Sequence, residues 1–249
     1  MTQLLLDRVA LVTGASSGIG AAVAVALAAA GAHVVVAARR ADRLRTLVAG
    51  IQARSGSAQA ITLDVSRAEN VSAMIDTVGQ EHKHLDILVN SAGVMLLGSV
   101  AEAALSEWRQ MLEVNLLGLM QITKAALPYM QTVSPGHIVN IASIAGRVAN
   151  PNASGYAASK FGVVAFSESL RREVCALGIR VTVIEPGMVE TELGEHITNQ
   201  RARDGLKQRL QQVQPLQADD IAAAVLYALT QPPRVNVNEI LLRPTLQER

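Results

Sequence analysis

Runs of continuously apolar residues alternate with helix-forming stretches along nearly the whole chain. The runs read RVALVTG (8–14), HVVVAARR (33–40), AQAITLDV (58–65), LDILVNSAG (85–93), GHIVNIAS (136–143), IRVTVIEPG (179–187) and NEILLRP (238–244). A strand with one wet face alternates polar and apolar residues, whereas a strand covered on both faces does not. Unbroken apolar strands separated by helices therefore predict a parallel sheet with helices on both sides and right-handed crossovers. The intervening helices are expected up to Gly31, over Asp42–Arg54, near Glu69–Glu81, through a long stretch ending at Met130, across the segment carrying Tyr156, and over Asp219–Leu229. The Arg- and Gln-rich segment from Asn199 to Gln214 reads as the solvated face of a lid helix. No Pro/Ser-rich linker, shift of composition or internal repeat divides the 249 residues. One doubly wound α/β domain of Rossmann type, spanning 1–249 with seven parallel strands, is the expected architecture. A TIM barrel also alternates strands and helices, but it does not explain the first strand–helix turn.

That turn is TGASSGIG, Thr13–Gly20. Gly14 permits a tight turn, Gly18 lets backbone approach a ligand, and Gly20 lets the helix pack closely. Ser16, Ser17 and Ile19 complete a helix N-terminus whose free N–H groups suit a pyrophosphate. Glycines serving only a sharp turn are the alternative. The second strand bears on which dinucleotide would bind. An acid at its end would hydrogen-bond the ribose 2′-hydroxyl of NAD, but Ala37 and Ala38 stand there, followed by Arg39 and Arg40. A guanidinium fork suits a 2′-phosphate, so NADP(H) is expected, with Arg39 the primary contact; solvated loop arginines are the competing reading. Asp64 and Val65, ending the third run, are placed for the adenine. Asn90, Ala92 and Gly93 of NSAG, and Pro186, Gly187, Val189 and Thr191 around EPG, lie where open α/β sheets bind ligands.

Within YAASKFGVV, Tyr156 and Lys160 stand four residues apart and share a helix face. A phenol keeps its proton to about pH 10 unless a nearby cation favours the phenolate. Alone the pair is a common surface arrangement. Ser143 thirteen residues earlier and Asn115 in the helix after the fourth strand make a convergent polar set at the same end of the sheet.

These motifs together resemble those of the short-chain dehydrogenase/reductase family, end to end over the chain. The matching features are TGxxxGxG, a modified NNAG, Asn115, Ser143, Tyr-x-x-x-Lys and PG with Thr191. The resemblance implies Tyr156 as general acid/base and Ser143 orienting the substrate carbonyl. It also implies Lys160 lowering the tyrosine pKa and holding the nicotinamide ribose, and Asn115 holding a water in a proton relay. Ser91 departs from the usual asparagine, with an effect expected on stability, and Ser17 departs from the basic residue of some NADP-preferring relatives. Stretches such as AGVMLLGSVAEA and IEPGMVETELGEHIT resemble the clavulanic acid dehydrogenase and NADP-dependent 3-hydroxy acid dehydrogenase groups. The implied reaction is NADPH-dependent reduction of an aldehyde or ketone. An epimerase built on the same dyad and a non-enzymatic NADP sensor are the rivals.

Composition narrows the partners. A net charge of +1 without basic blocks argues against nucleic acid. His33, His82, His84 and His137 lack metal-ligand spacing, so no metal is expected. Cys175 is the single cysteine and permits no internal disulfide. No run approaches the roughly 18 apolar residues of a membrane span, and the start does not read as a signal peptide. A soluble cytoplasmic enzyme acting on a small molecule is expected. The segment 187–216 should close over the substrate. Met95, Leu96, Met188 and Leu193 are candidate pocket residues, while Arg147 and His196 keep a carboxylate-bearing substrate open. Apolar helices near Ala103–Ala126 and Ser154–Leu177, together with the family resemblance, imply a homotetramer.

Overall fold

The computed structural model describes residues 4–132 and 135–248. Strands β1 (Val9–Thr13), β2 (His33–Ala38), β3 (Ser57–Thr62), β4 (Ile87–Asn90), β5 (His137–Ile141), β6 (Arg180–Pro186) and β7 (Glu239–Leu242) form one sheet in the order β3-β2-β1-β4-β5-β6-β7. Every neighbouring pair is parallel. The chain builds outward from β1 to β3, then crosses back to place β4 on the other side of β1. That reversal leaves a crevice above the carboxyl ends of β1 and β4, the place where doubly wound sheets bind ligands.

The apolar runs alternate between two cores. Ala10 and Val12 of β1 join Leu27 of α1 (Gly18–Ala29), Leu44 of α2 (Ala41–Gln52) and Val225 of α8 (Ala218–Leu229). Val9 and Leu11 face the opposite side, with Ile75 of α3 (Ala68–His82), Ile122 of α5 (Gly118–Met130) and Leu170 of α6 (Ser154–Val174). Each fully buried Leu or Ile is worth about 1.5–3 kcal/mol of transfer free energy. This two-sided burial is why the inner strands show no polar alternation, whereas the edge strands β3 and β7 keep exposed positions.

The long helix expected before Met130 is not continuous. It divides into α4 (Leu105–Leu112), a π-helical turn over Glu113–Leu117, and α5. Asn115 supplies a reason for the break. Its side chain accepts from Val94 N at 2.8 Å and donates to Val94 O at 2.9 Å, pairing with backbone outside the helix. The expected lid helix is α7 (Gln200–Val213), started by Asn199, whose side chain accepts from Ala202 N. At the far edge of the sheet, Glu185 of β6 is fully buried and meets Arg147 in a two-pronged ion pair, with Glu239 of β7 on the same guanidinium.

Candidate active site

The turn after β1 takes the conformation its glycines allow. Gly14 and Gly18 have φ of 68° and 52°, and a Cβ on Gly14 would stand 2.7 Å from Ala92 backbone. Thr13 Oγ1 accepts from Ser91 N and Ala92 N at 3.2 and 3.3 Å, pinning the loop after β4 against this turn. Ser17 precedes α1 without capping it through its side chain, so the helix offers its first-turn N–H groups to the space above.

That space is a cavity of about 420 Å³. It runs from Arg39 and Arg40, across the Gly14–Gly20 turn, to Ser143, Tyr156 and Lys160, and the segment after β6 contributes to its wall. At the arginine end, Arg40 donates to Ser16 Oγ at 3.0 Å, Ser17 Oγ at 2.7 Å and Glu192 at 2.8 Å. Arg39 is exposed, and no hydrogen bond from a described residue engages its guanidinium. Burial pushes the Asp64 carboxyl up, but hydrogen bonds from Ser66 and the Arg39 charge more than offset this and leave it below the usual carboxylate value.

At the other end, Ser143 follows β5 and caps a short 3-10 turn, accepting from Ala145 N at 3.1 Å. Tyr156 and Lys160 occupy the first turns of α6, both almost fully buried. Lys160 Nζ donates to Ile141 O at 2.9 Å and lies 5.8 Å from the Tyr156 ring centre. Burial pushes the phenol up to about 12, against a lowering hydrogen bond with Ser143. Burial also brings the Lys160 ammonium down to about 8. A phenol tuned downward by its lysine neighbour is therefore not what these residues produce by themselves: desolvation dominates both groups.

A model of the short chain dehydrogenase family matches residues 8–202. The chain belongs to that family. An uncharacterised oxidoreductase of Staphylococcus aureus (strain MRSA252) is 41% identical over 241 residues, covering 97% of this chain and 99% of the relative. Among solved structures, the closed form of serine dehydrogenase complexed with NADP⁺ is 32% identical with a TM-score of 0.89, covering 97% of each chain. The alcohol dehydrogenase of the archaeon Thermococcus sibiricus, complexed with 5-hydroxy-NADP, is 30% identical with a TM-score of 0.86, covering 97% of this chain and 98% of its own.

Most residues singled out in the sequence line this dehydrogenase's cavity, among them Gly18, Arg39, Asp64, Gly93, Ser143, Tyr156, Lys160 and Thr191. Four do not reach its wall: Asn90, Asn115, Leu96 and Arg147. Asn90 turns into the sheet, donating to Thr123 Oγ1 and Asn140 Oδ1, so any contact with a ligand falls to its backbone. Asn115 is buried and spends its amide on Val94 and on Ser159 Oγ at 3.0 Å. Since Ser159 Oγ donates to Tyr156 O at 2.7 Å, Asn115 positions the tyrosine's helix instead of facing the cavity. Leu96 packs in a core cluster with Met111, and its neighbours Met95 and Leu97 line the cavity in its place. Arg147 is committed to Glu185 and Glu239, which leaves it no fork for a substrate carboxylate.

Sequence reasoning missed Glu192, Leu206, Arg209 and Gln247, which also line the cavity. Leu206, Arg209 and Leu210 lie at helical spacing on α7, a signal that the polar composition of that helix obscured. Among the described residues no group of three metal-ligating side chains occurs, and no helix is long and apolar enough to cross a membrane.

Proposed function

We propose that this oxidoreductase uses NADP(H) to interconvert an aldehyde or ketone and its alcohol, with Tyr156 as the general acid/base. The observation that carries this reading is the placing of Tyr156, Ser143 and Lys160 along a cavity whose other end offers a glycine turn and the unengaged guanidinium of Arg39. The residues fit the dinucleotide: Gly14 removes a Cβ where Ala92 backbone crowds and Gly18 one where the Thr191 side chain does, α1 leaves N–H groups uncapped, and Arg39 is an unengaged guanidinium for a 2′-phosphate. Bound there, the cofactor supplies the hydride and, in oxidised form, a positive charge beside the phenol.

The chain's own groups do the rest. Tyr156, protonated at neutral pH, donates its proton to the carbonyl oxygen as hydride reaches the carbon, and the alcohol is released. Ser143 adds a second hydrogen bond to the same oxygen, so charge developing there meets two preorganised donors. Lys160 presents a cation to the ribose, and Asn115 keeps the turn of α6 in register through Ser159. The substrate lies among Met95, Leu97, Leu193 and Leu206, an apolar setting for an uncharged carbonyl compound of modest size. Unengaged Arg209 and the cavity-lining His196 leave room for a carboxylate. A screen of NADPH oxidation over assorted carbonyl compounds tests the reading. Turnover that disappears in Tyr156→Phe is the expected result, and tight NADPH binding without turnover of any carbonyl would favour a sensor instead.

A further inference from the structure

Glu192 is the first residue of a 3-10 turn, Glu192–His196, that leads toward α7. Its carboxylate reaches across the mouth of the cavity to Arg40 at 2.8 Å and Arg43 at 2.5 Å. Arg40 is thereby used on all three nitrogens, since Nε and Nη2 donate to the hydroxyls of Ser16 and Ser17 in the glycine turn. Two guanidinium groups converge on one anion, one of them braced by the Ser16 and Ser17 hydroxyls, which is a donor set suited to a phosphate, with a carboxylate of this chain as the present occupant. Arg43 and Arg40 hold Glu192 ionised down to about 2, so the occupant is an anion throughout the working range.

We propose that Glu192 is an internal competitor for the cofactor's 2′-phosphate, and that arrival of this phosphate releases the segment covering the substrate end. The inference rests on the NADP(H) reading above. A phosphate brings about two negative charges and three acceptor oxygens against one charge and two oxygens, so it displaces the carboxylate. The 2′-hydroxyl of NAD carries no charge and leaves the pair closed.

Release at Glu192 is coupled to the lid by packing. The preceding Thr191 sits over the glycine turn, its methyl 3.0 Å from where a Gly18 Cβ would lie. Two residues further on, Gly194 lies against Leu206 of α7, whose side chain would meet an added Cβ at 2.7 Å. Leu206 and Arg209 of that helix line the cavity. The beginning of the lid is further held by the buried Ile197 and by exposed hydrogen bonds, Thr198 to Glu107 and Asn199 to Glu102, the latter weak against water. Glu192 thus makes opening of the substrate end depend on the group that distinguishes NADP from NAD, with cofactor binding before substrate.

Adenosine 2′,5′-bisphosphate and adenosine 5′-monophosphate test this without a nicotinamide. Amide hydrogen exchange is followed over the lid, 192–213, in the wild-type protein and in Glu192→Gln, and both affinities are measured by calorimetry. The bisphosphate is expected to speed exchange in the wild-type lid and the monophosphate to leave it unchanged. Glu192→Gln is expected to show fast lid exchange without ligand and to bind the bisphosphate about threefold to tenfold tighter, the scale of a partly exposed ion-pair network. Tight bisphosphate binding with unchanged lid exchange would overturn the coupling while leaving the cofactor reading intact. Equal affinity for the two nucleotides, or no binding of either, would end both. A variant that folds and binds the bisphosphate no better than wild type would end the competition.

Discussion

Lowering the pH from 7 to 5 should cost this fold about 2 kcal/mol through His137 alone. His137 lies in β5, 1% exposed, with Nε2 2.8 Å from Thr182 Oγ1. The threonine hydroxyl spends its one proton on Val237 O, at 2.6 Å, so Nε2 must carry the hydrogen of the imidazole–threonine bond. Nδ1 is buried without a partner, and a proton added there would enter an apolar strand layer near Arg180. Burial first, and the Arg180 charge second, bring the pKa from 6.5 down to about 3. Unfolded, the same histidine takes up a proton near pH 6.5. Between about 3 and 6.5 the unfolded chain therefore binds more protons, and stability falls as pH falls. At 1.36 kcal/mol per pH unit, and allowing for partial titration near 6.5, the loss between pH 7 and 5 comes to about 2 kcal/mol.

The assay is chemical unfolding followed by the fluorescence of Trp108, the single tryptophan, at both pH values. Other groups titrate in this range as well, including His33, so the measured quantity is the difference between wild type and His137→Gln. Glutamine can keep an N–H for Thr182 but cannot take up the proton, so its stability should fall by about 2 kcal/mol less over the same interval. Equal pH losses in the two proteins would refute the reasoning, whatever their stabilities at pH 7.

Tyr156→Phe, which keeps the ring's packing and removes the proton, should lower kcat by about 10²- to 10⁴-fold with little change in NADPH affinity measured by fluorescence titration. Because burial holds the phenol high, at about 12, reduction should be nearly flat through neutral pH while alcohol oxidation rises steadily into the alkaline range, as pH–rate profiles in the two directions will show. Arg39→Asp should weaken NADPH binding at least about tenfold and leave NADH binding equal or better, as a charge-assisted phosphate contact is lost and a carboxylate placed at the ribose; wild-type protein that bound both cofactors equally would remove the basis for this. Light scattering at micromolar concentration should give a homotetramer, since Leu105, Leu117 and Phe161 on the α4–α6 face and Tyr227 and Leu241 near the last strand are exposed; a monomer would sink that expectation.

The periodic parts of the molecule were legible because burial on two faces leaves a signature that composition does not disguise. Six strands fall within the apolar runs and β3 starts one residue before its run, and β1 and β5 are buried at every residue. The glycine turn was legible for a different reason: a positive φ and a crowded Cβ position admit few residues. Long-range pairing left no such mark. Arg147 in the sequence is a cation after a small-residue turn, and only the approach of β6 and β7 shows that it neutralises Glu185 and Glu239. Glu192 likewise reads as one acid in a polar stretch until the topology lays it across Arg40, after β2, and Arg43, in α2. The split of the long helix at Asn115 depends on Val94, twenty-one residues away, which no helical periodicity contains.

The irregularities of the fold collect around the cavity for a physical reason. A regular α4–α5 helix would satisfy its own backbone, yet it would leave Asn115 unable to bond Val94 on one side and Ser159 on the other. The π turn gives up regular helix geometry and gains a tie between the loop after β4 and the helix that carries Tyr156. At α1 the missing side-chain cap leaves N–H groups unsatisfied by the protein, and at Lys160 burial opposes the charge that the site needs. Each departure is unfavourable in isolation and lies on the path from the glycine turn to the phenol. Local rules are broken where a bound anion or a reacting carbonyl would complete the interactions, and obeyed through the sheet that holds them in place.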